Sequence, residues 1–266
     1  VQTYGLIGWQ IQHSLSPKIQ NRAFASEHIA ANYELFDLSP DNFSERLPQL
    51  LNHLVGANVT TPYKHEIMPY LDAVTEISKK TQAVNTIYRD QAQRLIGTTT
   101  DGAGFWLAVS ESLSRQAHVL LLGAGGAARA IMAAKPAGIL LDVVNRPGAN
   151  FDEHAQQVNQ LLSQPLKTLD QVSLDAYQLV IDATTVGMFN QQTALTAAQM
   201  AQLQPGTLVF DLKYNQPVTP ILQLAQAAGY SIKNGWSMLV GQAVLSHEIW
   251  TGNRPDMDKL LEGLSQ

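Results

Sequence analysis

A lysine stands in "NVTTPYKHE" (58–66), directly after a strand-like apolar run, "HLVGANV" (53–59), and a Thr-Thr-Pro turn. Only 15% of the chain is charged, so Lys64 is either a solvated loop charge or a group aimed at something. Asp101, in "GTTTDGAGF" (97–105), also follows a strand-like run and lies where two halves of the chain meet. Ligand crevices in open α/β sheets form at strand ends, so this lysine and aspartate could flank a substrate in a cleft between domains. Adding hydride to a ketone makes an alkoxide that needs a proton, and an ammonium can supply it. The aspartate would hold lysine and hydroxyl in register.

A hydride donor has a candidate seat. "GAGGAAR" (123–129) follows "HVLLL", opens an Ala-rich helix and fits G-x-G-x-x-A with Gly123, Gly125 and Ala128. Gly123 permits the tight turn, Gly125 lets backbone approach a pyrophosphate, and Ala128 lets helix and strand pack closely. The helix N-terminus offers unpaired N–H groups to the phosphates. The bland alternative is a tight βα turn. A ribose-binding acid is expected about 20 residues further on, at the end of the second strand. A literal count reaches Asp142, but that residue is inside "LLDVVN", and the strand ends at Asn145–Arg146. An arginine there suits a 2′-phosphate, favouring NADP over NAD, unless it is simply solvated. In "HSLSP" (13–17), Ser16 reads as a helix N-cap with Pro17 as first residue. Ser14 and Ser16 together could also receive a carboxylate. The seven histidines form no H-E-x-x-H or H-x-H, and neither G-x-S-x-G nor a P-loop occurs. No metal site is expected.

The elements that must position these groups alternate strand and helix. "YGLIG" (4–8), "NYELFDL" (32–38) and "VGANV" (55–59) read as strands, with helices at 16–28 and 40–52, the latter interrupted by Pro48. "AVNTIYRDQAQRLIGTT" (83–99) reads as a hairpin turning at "RDQAQ". A second series, "HVLLL", "GILLDVV" (138–144), "YQLVIDA" (177–183), "GTLVFDL" (206–212) and "GYSIKN" (229–234), is apolar on both faces, as central parallel strands are. The expectation is two α/β domains, dividing near Asp101–Gly104. The helical segment 237–250 has no strand after it and fits either domain.

Composition bounds the rest. The 266 residues carry 45% hydrophobic side chains, a formal charge of -5, and no cysteine. Disulfides and thiolate chemistry are excluded. No basic block invites nucleic acid or an anionic membrane. No charged-then-apolar leader opens the chain, and no apolar run approaches the ~18 residues of a membrane span. A soluble cytoplasmic protein is expected.

"HSLSPKIQNRAF", "GANVTTPYK", "AVNTI", "TDGAGF", "LLGAGGAARA", "NR", "ATTVGM", "YNQPVTPIL" and "MLVGQAVLSHEIWTG" occur in the order and spacing of shikimate dehydrogenases. By these segments, spread over nearly the whole chain, the protein resembles that family. The resemblance implies a substrate-binding domain (1–101 plus 236–266) and a Rossmann-type NADP domain (102–235), with the active site in the cleft between them. It implies reduction of 3-dehydroshikimate to shikimate with NADPH, on the route to chorismate and the aromatic amino acids. Ser14 and Ser16 then hold the substrate carboxylate, and Lys64 and Asp101 are catalytic. Thr60, Asn85, Asp101 and Gln242 contact the ring hydroxyls, with Tyr214 a further substrate contact. Gly123, Ala124, Gly125, Gly126 and Ala127 form the cofactor loop, Asn145 and Arg146 the 2′-phosphate region, and Leu212 and Gly235 flank the nicotinamide. Three positions depart from the family: Thr99 and Asp182 replace the usual Asn, and Pro147 the usual Thr, without the second basic residue that often follows. One arginine alone implies a modest NADP preference. The rival readings are a quinate/shikimate dehydrogenase accepting NAD, and a non-catalytic NADP sensor, which would have no need of both Lys64 and Asp101. A monomer or a homodimer fits equally.

Overall fold

The computed structural model describes residues 1–264. The chain forms two compact units, Val1–Gly104 with Val240–Gln266, and Phe105–Leu239. The changeovers fall after Gly104, at the end of the Asp101–Gly104 stretch, and at Val240, both inside helices.

The first unit is built on β1 (Gln2–Gly8), α1 (Ser16–Ser26), β2 (Ala31–Asp37), α2 (Pro40–His53), β3 (Gly56–Val59), β4 (Ala73–Val74), α3 (Glu76–Thr81), β5 (Thr86–Arg89) and β6 (Leu95–Thr98). Its sheet has the order β2-β1-β3-β5-β6-β4. β5 alone runs antiparallel, paired with β3 on one side and β6 on the other, so the expected hairpin is present. The two-residue β4 was not anticipated, being too short to carry a pattern. Alternation along β1 sends Tyr4 and Leu6 to a core with Phe24 and Tyr33, and Ile7 to another with Phe43, Leu47 and Leu51. Those last three recur every fourth residue of α2 and make its apolar stripe. α2 runs through Pro48 because that residue lies on its exposed face, where water can serve the carbonyl left without a donor. Ser16 is not the N-cap of α1: Leu15 holds that position, and Ser16 is already helical. The helix starts one residue earlier than expected because the Ser14 hydroxyl accepts the Ser16 N–H at 3.2 Å.

α4 (Asp101–Val109) leads into the second unit, whose strands are β7 (His118–Leu122), β8 (Leu140–Val144), β9 (Leu179–Asp182), β10 (Leu208–Asp211) and β11 (Ser231–Asn234). All pair in parallel, in the order β11-β10-β9-β7-β8. α5 (Gly126–Ala133), α6 (Phe151–Leu162), α7 (Ala197–Met200) and α8 (Pro220–Ala227) lie between them. Val119 and Leu121 of β7 enter one core, Leu120 and Leu122 the other, so both faces are covered. Numbered from its own first strand, the sheet reads 2-1-3-4-5, the doubly wound order whose switch point lies between first and third strands, here β7 and β9. α9 (Trp236–Thr251) and α10 (Met257–Glu262) follow. From Val240 on, α9 belongs to the first unit, where Gln20 Nε2 donates to the Ala243 carbonyl at 3.0 Å.

Candidate active site

In the first unit, β1, β3 and β6 are parallel and β5 opposes them. The segments leaving β1, β3 and β6 therefore emerge at the same sheet edge as the residue that enters β5. That edge gathers Ser14 and Ser16, Thr60 and Lys64, Asn85, and Asp101. The antiparallel strand matters most, because it brings Asn85 to the carboxyl ends of its neighbours.

The Lys64 backbone is clamped. Thr60 N–H donates to the Ile7 carbonyl at 2.9 Å and Tyr63 N–H to that of Thr60 at 2.9 Å, while the Lys64 carbonyl accepts Val84 N–H at 2.7 Å. The Tyr63 ring stacks on Phe43 with centroids 3.9 Å apart, and its hydroxyl donates to the Leu38 carbonyl at 2.6 Å. Lys64 Nζ lies 2.6 Å from Asp101 Oδ2 with its side chain 32% exposed, half in water and half committed. One ammonium proton goes to Asp101, leaving two for an incoming oxygen. Asp101 opens α4, where a carboxylate suits the helix dipole. Its other oxygen accepts Asn85 Nδ2 at 2.8 Å, and that amide also reaches Gln242 Oε1 at 3.2 Å. Asn85 Oδ1 accepts from Thr100 N–H and the Thr86 hydroxyl, both at 2.8 Å, which fixes the orientation of the amide.

Behind this front stand residues the sequence reading missed. Thr100 Oγ donates to the Gln242 carbonyl at 3.0 Å, and Ser246, one turn further along α9, bonds to Asn58 and Thr86. The i, i+4 relation of Gln242 and Ser246 was the available signal. Thr99 is buried, and its hydroxyl has no hydrogen-bond partner among the described residues. Ser14 and Ser16 form their own pair, hydroxyl to hydroxyl at 3.2 Å.

In the second unit a cavity of about 530 Å³ opens at the switch point. Its walls are Leu122–Gly125 after β7, Val144–Pro147 after β8, Ala183–Val186 after β9, and Thr168–Asp170 with His154. The fit to a dinucleotide can be tested on the glycines. Gly123 has φ +96, a conformation that side chains rarely adopt. A Cβ on Gly125 would meet nothing within 4 Å, so this backbone faces open cavity, as close approach to a phosphate requires. Gly126 and Ala127 stand exposed as the first residues of α5, which has no side-chain cap; their N–H groups have no partner within the helix. Arg146 is exposed at the cavity wall, and Asn145 Nδ2 lies 2.9 Å from His154 Nδ1. Asp142 is committed elsewhere: its carboxylate takes Lys167 Nζ at 2.6 Å, the Tyr177 hydroxyl at 2.8 Å and His118 Nε2 at 3.0 Å. Leu212 packs on the core, Gly235 crosses it closely, since a Cβ there would lie 2.0 Å from the Leu212 carbonyl oxygen, and Tyr214 is exposed. Among the described residues no cluster of His, Asp and Glu could hold a metal ion, and no helix is long and apolar enough to cross a membrane.

A switch-point cavity under a glycine turn, with a lysine–aspartate pair on the companion unit, defines a nicotinamide-dependent oxidoreductase. Comparison with known proteins narrows the class. Residues 6–87 match the model of the shikimate dehydrogenase substrate binding domain. The chain is 39% identical to the NADP(+) shikimate dehydrogenase of Exiguobacterium sp., over 97% of each protein, and 34% identical to that of Geobacillus kaustophilus, over 97% of this chain and 96% of the relative. Among solved structures, the shikimate 5-dehydrogenase of Thermus thermophilus, in complex with NADP(H) and shikimate, superposes with a TM-score of 0.86 at 28% identity, over 100% of this chain and 99% of the other. The chain belongs to the shikimate dehydrogenase family.

Proposed function

We propose that this protein is an NADP-dependent shikimate dehydrogenase, with Lys64 as its proton donor and acceptor. The observation that carries the assignment is the Lys64 Nζ–Asp101 Oδ2 contact of 2.6 Å, tied through Asn85 to Gln242. The nicotinamide, when bound, supplies the hydride. In the reducing direction the Lys64 ammonium would give a proton to the ketone oxygen of 3-dehydroshikimate. In reverse, neutral Lys64 accepts the hydroxyl proton. Asp101 orients the amine, so the proton is delivered from a fixed point. Asn85, Gln242 and Thr60 offer donors and acceptors to ring hydroxyls, and Ser14 with Ser16 offers two hydroxyls to the carboxylate. The cofactor would be held at its pyrophosphate by Gly123–Ala127 and at its 2′-phosphate by Asn145 and Arg146, with Leu212 and Gly235 beside the nicotinamide. The same reading makes the protein a cytoplasmic enzyme acting on a free small molecule, as monomer or homodimer.

Steady-state rates with shikimate and quinate, each with NADP and NAD, test the assignment. Shikimate with NADP should give the highest kcat/KM. Lys64→Ala should lose about 10²–10⁴-fold in kcat, the usual span of a general acid–base contribution, with KM changed far less. Near-full kcat in the variant would show that Lys64 is not the catalyst, and quinate exceeding shikimate would reassign the substrate.

A further inference from the structure

Asp182 ends β9 and Asp211 ends β10, and the parallel register sets them side by side. Both carboxylates are fully buried. Two such anions repel strongly away from water unless a cation stands between them. Lys213 is that cation. Its Nζ, on a side chain only 3% exposed, lies 2.9 Å from Asp182 Oδ2 and 2.9 Å from Asp211 Oδ1. The third ammonium proton goes to the Thr184 carbonyl at 3.1 Å, so all three donors are used. Asp182 Oδ1 grips the same residue, accepting Thr184 N–H at 2.9 Å and its hydroxyl at 2.6 Å.

Thr184 is a wall of the switch-point cavity. It also abuts the glycine turn, since a Cβ on Gly123 would come within 3.1 Å of its methyl group. The Lys213 carbonyl meanwhile accepts Gly235 N–H at 3.1 Å. We propose that Lys213, paired with Asp182, is a positioning residue for the cofactor: it fixes Thr184 against the glycine turn and so sets the shape of the dinucleotide cavity. The proposal rests on the reading of that cavity as the NADP site. Without Lys213 the two buried carboxylates would face each other uncompensated.

Four proteins test this: wild type, Lys213→Met, Asp182→Asn/Lys213→Met, and Asp182→Ala. Lys213→Met leaves two buried carboxylates without a counter-ion and takes the donor from the Thr184 carbonyl. The double variant restores the net charge of the cluster, and its new amide can donate in place of the ammonium. Asp182→Ala removes the grip on Thr184 while leaving Lys213 and Asp211 balanced, so it reads the same contact should Lys213→Met fail to fold. NADPH affinity is measured directly by fluorescence titration, beside Tm and the KM for shikimate. Lys213→Met and Asp182→Ala should each weaken NADPH about tenfold or more, equivalent to ~1.4 kcal/mol, with the shikimate KM within about twofold. The double variant should recover most of the loss. Wild-type NADPH affinity in either folded variant, or a double variant no better than Lys213→Met, would overturn the proposal. A wild-type protein that bound no NADPH would overturn the reading of the cavity, and this proposal with it.

Discussion

At the scale of single residues, two contrasts separate binding from chemistry. The Ser14 hydroxyl meets the Ser16 hydroxyl and the Ser16 N–H at 3.2 Å each, long contacts that leave both hydroxyl protons able to turn to a carboxylate. Replacing both with alanine should raise the KM for shikimate and spare kcat, because the lost bonds serve ground and transition states alike. Each charge-assisted bond is worth roughly 1.5–3 kcal/mol. Unchanged substrate affinity in the folded double variant would remove the carboxylate role. The second contrast concerns Arg146. Asp142, the rival by residue count, is engaged by Lys167, Tyr177 and His118, so no acid remains at the end of β8 to greet a ribose hydroxyl. Arg146→Ala should weaken NADP by about 10- to 150-fold, the span of a bond of roughly 1.5–3 kcal/mol to a charged group, and leave NAD nearly unchanged. Equal losses for the two cofactors in parallel titrations would show that Arg146 does not read the 2′-phosphate.

At the scale of elements, the site depends on how closely two helices approach. In the first unit the start of α4 meets α9 at Gly104 and Gly241. A Cβ on Gly104 would stand 2.3 Å from the Gln242 backbone nitrogen, and one on Gly241 the same distance from the Gly104 carbonyl oxygen. Gln242 reaches Asn85 at 3.2 Å because no side chain holds the helices apart. Gly104→Ala should destabilise by about 1–3 kcal/mol, the usual cost of overpacking, and raise the KM for shikimate by displacing Gln242. An unchanged Tm together with an unchanged KM would refute the close-contact argument. Lys64, Asp101 and the strands that carry them were legible in the sequence, because a strand end is a local pattern and so is a glycine turn. The Gly104–Gly241 contact and the Asp182–Lys213 pair were not. Their partners lie far apart along the chain and become neighbours only through helix crossing and strand register. The Ser16 cap failed for a smaller reason: the hydroxyl two residues earlier could take over the N–H and start the helix sooner.

At the scale of the whole molecule, acid should act through buried charge more than through surface charge. The net charge of -5 shrinks as pH falls, so repulsion among surface acids is relieved. Two aspartates of the second unit, Asp211 buried and Asp142 half-buried, then pull in opposite directions. Burial holds Asp211 above the usual carboxylate range, against hydrogen bonds from Thr219 and Lys213. Its contribution is present below the unfolded pKa and lost as pH rises through the folded one, so acid relieves a cost there. Burial raises Asp142 too, but hydrogen bonds from Lys167, Tyr177 and His118 outweigh it and leave this carboxyl below its ordinary value of 3.8. Its contribution is present above the unfolded pKa and lost as pH falls from there through the folded pKa. Asp142→Asn isolates that part of the acid response. At neutral pH the variant should be less stable by roughly 1.5–3 kcal/mol, the scale of hydrogen bonds to a charged group. The gap from wild type should hold down to about pH 5 and close below about pH 4, where the unfolded carboxylate takes up its proton. Urea midpoints for the two proteins between pH 7 and pH 3 measure that gap. A difference as large at the acid end as at neutrality would mean that Asp142 stabilises the unit through packing, with its charge irrelevant.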